Sequence, residues 1–584
     1  MESKAFENYK AWLEEPYIDE ETKKELKLIK HDKREIEDRF YKELEFGTAG
    51  IRGIIGAGTN RINKYIVRKT TQGLADYIKS KSEDAKARGV VIAYDSRRMS
   101  REFAEEAASV LAGNGIKAYL FKDLRATPIL SFAVRFLNCI SGIVITASHN
   151  PAEYNGYKVY WEDGAQIAEE QAEAIIDSVA RVTDFASIRT LDKDKAIDKG
   201  LLLYLDEKID DVYIEEVKKQ SLRGDVVRRV SDDFKVVFTP LHGTGNIPVR
   251  RVLEEIGFKN IFVVREQELP DPDFSTVVYP NPEDKEAFEP AIELAAKEDA
   301  DLIIGTDPDC DRVGAVVKDN NGEYVVLTGN QTGALLVNYI LGALKENENL
   351  PENGVIIKTI VTSEMGAHIA KEYGVETINT LTGFKYIGER IKWFEETGEK
   401  VFLFGYEESC GYLAGTYARD KDAVVASMLI CEMAAYYYSK GMNLYDALIA
   451  LYDRYGYFIE DVRSISLEGR DGLEGTAGIM DYFRTNILDT IGDRKVLFIE
   501  DYKTRRRIYL DDSKDEERIG LPSANVVKFV LEGEGWVCLR PSGTEPKLKI
   551  YGGFKGNTLE EGREVLKRAI TWMEEKINEI GLGG

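Results

Sequence analysis

Cysteine is scarce in this chain of 584 residues. The five cysteines, Cys139, Cys310, Cys410, Cys431 and Cys538, are odd in number and never spaced as C-x-x-C. That excludes a disulfide framework and a thiolate zinc site, and it suits a reducing, cytoplasmic setting. Four histidines are too few for an extended histidine-based metal centre. Positive charge is also in deficit: 78 Lys and Arg face 102 Asp and Glu, a formal net charge of −24. Such a balance disfavours non-specific attraction to nucleic acid or to an anionic membrane, so neither is expected as a partner. Long hydrophobic runs are missing. The longest apolar-rich stretch, AVVASMLICEMAAYYY from Ala423, carries Glu432 and falls short of the ~18–20 residues of a membrane span. The N-terminus, MESKAFENYKAWLEEPYIDEE, has no apolar signal-peptide core. The common phosphate and hydrolase signatures fail too. There is no G-x-x-x-x-G-K-[ST] and no G-x-S-x-G, and HGTGNIP (242–248) has Pro248 where a dinucleotide turn needs its third glycine.

What is present is ample core material, 43% hydrophobic and 10% aromatic, in a chain long enough for ~3–5 domains. Residues 1–45 read as a charged helical extension with Tyr9, Trp12 and Leu13 on one face, packed on the first domain. After that one arrangement recurs. An apolar, β-branched run ends in a polar loop in GIVITASHNP (142–151), DLIIGTDPDCD (301–311), VFLFGYEESCG (401–411) and WVCLRPSGTEP (536–546). Such runs read as buried strands, and helical patterns such as REFAEEAASVLAGNG (101–115) alternate with them, which indicates α/β domains. Ligands of open α/β sheets sit beyond strand C-termini, so the loops suggest one shared cleft. Boundaries fall near 45, 205, 320 and 465. The charged stretches 190–232 and 464–520 read as connectors with some helix, and Thr558 with Glu561 as a capping box opening the last helix.

Each loop carries its own chemistry. In TASHNP a strand-end serine, Ser148, could carry a covalent phosphate, with Lys158 nearby to offset the charge. Adjacent Ser148 and His149 are not expected to pair, because neighbouring side chains on an extended segment point apart. In DPDCD, Asp307, Asp309 and Asp311 can converge on one hard cation, Mg²⁺ or Ca²⁺ rather than zinc; Cys310 is a small spacer. In GYEESCG, Glu407 and Ser409 lie on one side of an extended loop and Glu408 on the other. A carboxylate with a hydroxyl suits sugar hydroxyls, although by itself this reads as a polar surface loop. In RPSGTEP, Arg540 forks to an anion, Ser542 and Thr544 add hydroxyls, and Gly543 lets backbone N–H groups approach. Two cationic segments stand beside these: FGTAGIRG (46–53) with Arg52, and RDKDA (419–423) with Arg419 and Lys421.

Together and in this order, the four loops resemble the α-D-phosphohexomutase superfamily. The likeness is to the bacterial phosphoglucomutase/phosphomannomutase branch with an N-terminal extension. It runs from FGTAGIRG to RPSGTEP, with AYDSR (93–97), TPLHGTG (239–245) and TGFKYIGE (382–389) as companions. The resemblance implies three similar α/β domains plus a smaller C-terminal α+β domain around a central cleft, with domains at 46–205, 206–320, 321–465 and 466–584. It implies that Ser148 is a phosphoserine. Asp307, Asp309 and Asp311, with a phosphoserine oxygen of Ser148, would hold one Mg²⁺ per chain. Arg52, His149, Lys158 and Arg312 would surround the transferring phosphate. Glu407 and Ser409 would grip sugar hydroxyls; Arg540, Ser542, Gly543 and Thr544 would hold the non-reacting phosphate. Thr382, Gly383, Lys385, Arg419 and Lys421 would add substrate contacts. The implied activity is interconversion of α-D-glucose 1-phosphate and D-glucose 6-phosphate, with glucose 1,6-bisphosphate as intermediate and activator, and with mannose phosphates also accepted. A phosphopentomutase acting on ribose or deoxyribose 1-phosphate is the alternative. The expected partners are hexose phosphates alone, bound by a monomer or small homo-oligomer. One departure stands out. Some relatives place a histidine after the sugar loop, where this chain reads Ser409-Cys410-Gly411-Tyr412; the general base is then Lys158 or His149. An aspartate-nucleophile phosphatase built on Asp307-x-Asp309 would leave TASHNP and RPSGTEP unexplained. A non-catalytic sugar-phosphate sensor would carry no phosphate on Ser148.

Overall fold

The computed structural model describes residues 3–47, 50–466, 472–511, 515–541 and 547–582. The chain divides into two compact units. The first comprises residues 1–327, 387–398 and 410–441; the second comprises residues 328–386, 399–409 and 442–584.

The first unit holds two sheets. In the first sheet the strands run in the order Gly50–Ile54, Tyr154–Trp161, Ser141–Ile145, Val90–Tyr94, Ala118–Phe121, Leu202–Leu205. The last four are mutually parallel, and Tyr154–Trp161 runs against both of its neighbours. Val90–Tyr94 and Ser141–Ile145 are buried at every position, as the continuous apolar runs of a parallel sheet covered on both faces should be. The stretch 190–232 is more than a connector. Its Leu202–Leu205 pairs with Ala118–Phe121 as the sheet's edge, and the expected helix follows in Lys208–Lys218 and Gly224–Val230. The short apolar run LLLYL was masked in the sequence by the charges around it. The second sheet has the order Tyr324–Leu327, Val313–Lys318, Leu302–Thr306, Lys235–Thr239, Asn260–Val263.

The N-terminal helices Lys4–Glu14, Glu20–Leu28 and Lys33–Phe40 cover the first domain. Trp12 meets Phe40, Tyr65 and Phe185 edge-on at ring separations of 5.6–5.9 Å, and Tyr9 donates to the Leu26 carbonyl. The apolar stretch from Ala423 is a 16-residue helix, Ala423–Tyr438, capped by Asp422 and buried at its core. Its Glu432 is fully buried and accepts from Ser221 Oγ and the Leu222 N–H, which satisfies the charge inside the fold. No helix of the described residues is long and apolar enough to cross a membrane.

In the second unit, Gly354–Thr359 pairs in parallel with Glu376–Thr380 and Val401–Glu407. The C-terminal sheet is antiparallel in the order Tyr457–Ser466, Lys547–Gly556, Gly535–Pro541, Val527–Leu531, Arg494–Asp501, Arg506–Tyr509, Glu516–Arg518. The stretch 464–520 therefore contains sheet strands rather than connector alone. Helix Leu559–Leu582 packs over this sheet through Leu566, Ala569, Ile570 and Met573. At its start Thr558 accepts from the Glu561 N–H as expected, but the Glu561 carboxylate reaches back to the Asn557 N–H.

Candidate functional site

Three of the polar loops follow strands in the same way. Ser141–Ile145 turns through TASHNP into Tyr154–Trp161, and Leu302–Thr306 turns through DPDCD into Val313–Lys318. Val401–Glu407 runs through Glu408–Cys410 to Gly411–Leu413. Each loop contains one non-glycine residue with positive φ: Ser148 at 53°, Cys310 at 55° and Cys410 at 58°. A left-handed residue with a side chain costs about 1–3 kcal/mol and persists only where its surroundings enforce it.

At Ser148 that conformation overturns the expectation of a divergent Ser–His pair. The left-handed turn swings the two side chains to one side, and Ser148 Oγ lies 3.3 Å from His149 Nδ1. Ser148 Oγ also donates to Asp307 Oδ2 at 2.7 Å. The serine is 2% exposed. The sequence-derived grouping of serine loop and acid loop is thus a direct contact across 159 residues.

The acid loop is built around Asp307. Its Oδ1 accepts the Asp311 and Arg312 N–H groups, each at 3.0 Å. Asp309 Oδ2 accepts from Lys158 Nζ at 2.7 Å and Thr127 Oγ1 at 3.1 Å. Lys421 Nζ sits 3.3 Å from Asp311 Oδ2 and 3.2 Å from Asp420 Oδ1. Burial and the two neighbouring carboxylates push the Asp307 carboxyl well up. Burial would raise Asp309 and Asp311 as well, but Lys158 holds Asp309 down, and Lys421 with Lys158 holds Asp311 down. Burial would lower Lys158; Asp309 and Asp311 outweigh it and keep the ammonium charged. His149 is pushed well below the usual imidazole range by burial and by Arg312 and Arg52.

The triad fits a hard divalent cation. One ligand oxygen from each of Asp307, Asp309 and Asp311 lies within 4.8 Å of the others. Asp309 Oδ1 and Asp311 Oδ1 are buried and accept no hydrogen bond from the described residues, a costly state for carboxylate oxygens unless a cation meets them. An all-oxygen set of this kind suits Mg²⁺.

The other cations near these loops are engaged. Arg52 is exposed and donates to Asn150 Oδ1 at 2.8 Å. Arg312 donates to Glu283 Oε1 at 2.6 Å. Arg419 is 2% exposed and pairs with Glu395.

In the second unit, the end of Val401–Glu407 is no surface loop: Glu407 is 5% exposed and takes the Gly383 N–H on Oε1 at 2.9 Å. Gly383 has φ 118°, a conformation that side-chain-bearing residues avoid. Beside it the Thr382 hydroxyl is buried without a hydrogen-bond partner among the described residues, and Lys385 is 8% exposed with its amine 4.9 Å from the Tyr386 ring centre. Glu408 turns the opposite way, accepting from Thr359 and Thr362. Ser409 follows on the same loop and is half-buried. Arg540 is half-buried on Gly535–Pro541, opposite Lys549. Ser542, Gly543 and Thr544 lie outside the described residues.

Some residues of the site were not singled out from the sequence. Thr127 binds Asp309 through both its N–H and its hydroxyl. Thr244 gives its N–H and hydroxyl to the Pro308 carbonyl at 2.8 and 3.0 Å, and a Cβ on Gly243 would meet Pro308 Cα at 2.4 Å. Asp95 and Arg97 follow the strand Val90–Tyr94. A signal was available for Asp95, Arg97 and Thr244, since AYDSR and TPLHGTG are also strand-end loops.

Four family models match this chain, described as phosphoglucomutase/phosphomannomutase alpha/beta/alpha domains I, II and III and C-terminal domain, over residues 43–185, 211–322, 328–455 and 510–564. The chain is 41% identical over 525 residues to a phosphoglucomutase of Staphylococcus haemolyticus (strain JCSC1435), covering 90% of this chain and 93% of the relative. It is 40% identical over 536 residues to that of Staphylococcus aureus (strain MRSA252), at the same coverage. Among solved structures, a phosphoglucomutase/phosphomannomutase family protein from Burkholderia thailandensis shares the fold at TM-score 0.64 and 19% identity, over 92% of this chain and 98% of that one. Parafusin, a phosphoglucomutase from Paramecium, does so at TM-score 0.66 and 17% identity, over 92% and 96%.

Proposed function

The chain belongs to the phosphoglucomutase/phosphomannomutase family, and from that membership we propose that it interconverts α-D-glucose 1-phosphate and D-glucose 6-phosphate through a phosphoserine at Ser148. The observation that carries this reading is the placement of Ser148 Oγ, 2.7 Å from Asp307 in the acid triad and 3.3 Å from His149.

The chemistry follows from the positions of these groups. Phosphorylated Ser148 gives its phosphoryl group to a hydroxyl of the bound sugar monophosphate. The P–Oγ bond breaks as the new P–O bond forms, and the hydroxyl proton leaves to a base. Of the two candidates, His149 is the one we assign, since Lys158 is bound as a cation between Asp309 and Asp311. The resulting glucose 1,6-bisphosphate reorients, and Ser148 takes back the other phosphate. Transfer of this kind depends on positioning and charge neutralisation more than on covalent assistance. Lys158, Lys421, Arg52 and Arg312 are the side chains that would meet the phosphate's charge. One Mg²⁺, held by Asp307, Asp309, Asp311 and a Ser148 phosphate oxygen, would supply Lewis-acid polarisation of the transferring group. Glu407, Ser409, Thr382, Gly383, Lys385 and Arg419 would orient the sugar. Arg540, Ser542, Gly543 and Thr544 would hold the phosphate that is not reacting.

The sugar assignment is tested by comparing kcat/KM for glucose, mannose, galactose and ribose 1-phosphates side by side. Glucose and mannose share the 3- and 4-hydroxyls that the Glu407 loop is proposed to read and differ only at C2, so mannose should be slower but used. Galactose, inverted at C4, should be at least about 100-fold poorer, because it leaves a buried polar group unpaired. A preference for ribose 1-phosphate would replace this reading with a pentose mutase.

A second prediction concerns Arg540. Removing a fork to phosphate costs roughly 1.5–3 kcal/mol, so Arg540→Ala should lower kcat/KM by about 10- to 150-fold. Unchanged kcat/KM in that variant would take this strand end out of the substrate site.

A further inference from the structure

Arg97 lies outside every role assigned so far. It touches neither the acid triad nor Ser148 Oγ, yet it is 3% exposed and spends its guanidinium on one loop. Nη1 donates to the carbonyls of Pro151 and Tyr154 at 2.7 and 3.1 Å, and Nη2 donates to those of Ser148, at 2.5 Å, and Asn150. Four carbonyls of the serine loop thus converge on one cation.

The remaining contacts close a circuit around Ser148. Its N–H donates to Thr146 Oγ1 at 2.8 Å. That hydroxyl donates to Asp95 Oδ2 at 2.6 Å. Asp95 Oδ2 lies 3.3 Å from Arg97 Nε, and Arg97 returns to the Ser148 carbonyl. Both peptide groups flanking the Ser148 Cα are therefore fixed, which is what an unfavourable positive φ needs in order to persist.

The far face of the guanidinium is covered from the second domain. The Phe274 ring centre lies 4.8 Å from Arg97 Cζ, and the adjacent Asp273 pairs with Arg98. Phe274 also meets the His242 ring at 6.4 Å. His242 precedes Gly243 and Thr244, which press on Pro308 of the acid loop. A continuous set of contacts therefore runs from the acid loop to the serine loop through residues that touch no reacting atom.

We propose that Arg97 is a positioning residue that clamps Ser148 in its left-handed conformation, facing the acid triad, and that Phe274 seats this clamp against the second domain. The inference rests on Ser148 being the phosphate carrier. Lysine carries the same charge but cannot supply a planar fork to four carbonyls. A displaced nucleophile loses rate without losing substrate, since a shift of ~1 Å can cost about 100-fold.

The test uses the full-length protein and the variants Arg97→Lys, Arg97→Ala and Phe274→Leu. Each is incubated with glucose 1,6-bisphosphate and Mg²⁺, its phosphate content is read by intact mass, and kcat and KM are measured separately. Arg97→Lys and Arg97→Ala should lose about 100-fold in kcat with KM within about 3-fold. Added guanidinium should restore part of the Arg97→Ala loss. Phe274→Leu should lose about 10-fold in kcat with the same small change in KM. If Arg97→Ala does not fold, Arg97→Lys and Phe274→Leu carry the test. A kcat within about 2-fold of the parent in Arg97→Lys, or a loss residing in KM alone, overturns the proposal. Parent protein that takes up no phosphate on Ser148 overturns the mutase reading beneath it, a result read independently of the variants.

Discussion

Replacing Ser148 with alanine is expected to abolish the covalent phosphate and nearly all turnover. Protein purified in its active form should carry phosphate that survives denaturation and maps to the peptide containing Ser148; Ser148→Ala should carry none. The loss of rate should reach at least about a thousand-fold, or ~4 kcal/mol of transition-state stabilisation, because no other group can take over a covalent relay. Sugar-phosphate binding should persist, since Glu407 and Arg540 are untouched. The fold should tolerate the change. Removal of Oγ forfeits its contacts with Asp307 and His149, whereas the bonds that shape the turn use the Ser148 backbone. Turnover close to that of the parent protein in Ser148→Ala would end the phosphoserine mechanism.

The second large effect is expected at Asp309. Asp309→Asn removes one negative charge from the triad while retaining an oxygen that can accept from Thr127. Mg²⁺ should then bind more weakly, and activity at a fixed metal concentration should fall by about 100-fold or more, with partial recovery at high Mg²⁺. Thermal unfolding supplies a readout independent of catalysis. A ligand at 100 times its Kd stabilises the folded state by about 2.7 kcal/mol, so Mg²⁺ should raise the parent Tm and raise that of Asp309→Asn much less at the same concentration. Chelation should abolish parent activity and Mg²⁺ should return it. A metal-stripped protein that remains fully active would remove the cation from the mechanism.

The strand-end loops were legible because their signal is local. GIVITASHNP and DLIIGTDPDCD each pair a buried, β-branched run with a polar turn. Both runs are indeed buried strands, Ser141–Ile145 and Leu302–Thr306, each with one parallel and one antiparallel neighbour. The helix cap at Thr558 was visible for the same reason: its partner Glu561 lies one turn away. The strand Leu202–Leu205 was hidden, because four residues on a sheet edge carry little periodicity among charged neighbours. The burial of Glu407 was hidden as well. Three acceptor groups in a row read as a solvated loop until Gly383 arrives from elsewhere in the chain to satisfy one of them.

The sequence by itself determined the class of this protein: its α/β architecture, its order of loops, and the serine, acid triad, glutamate and arginine that those loops present. Short-range pattern suffices for that, since strands, turns and loop chemistry are written within about ten residues. Only the tertiary structure decided how the serine loop meets the acid loop. The sign of φ at Ser148 places His149 beside it, and it follows from contacts with Asp95 and Arg97 some 51 to 53 residues away. The charge states of Lys158 and Asp309 follow from a pairing across 151 residues. Such contacts depend on which strands become neighbours in a sheet, and no local spacing encodes that. The strained serine is held beside Asp307 by hydrogen bonds that join its backbone to Thr146 and Arg97.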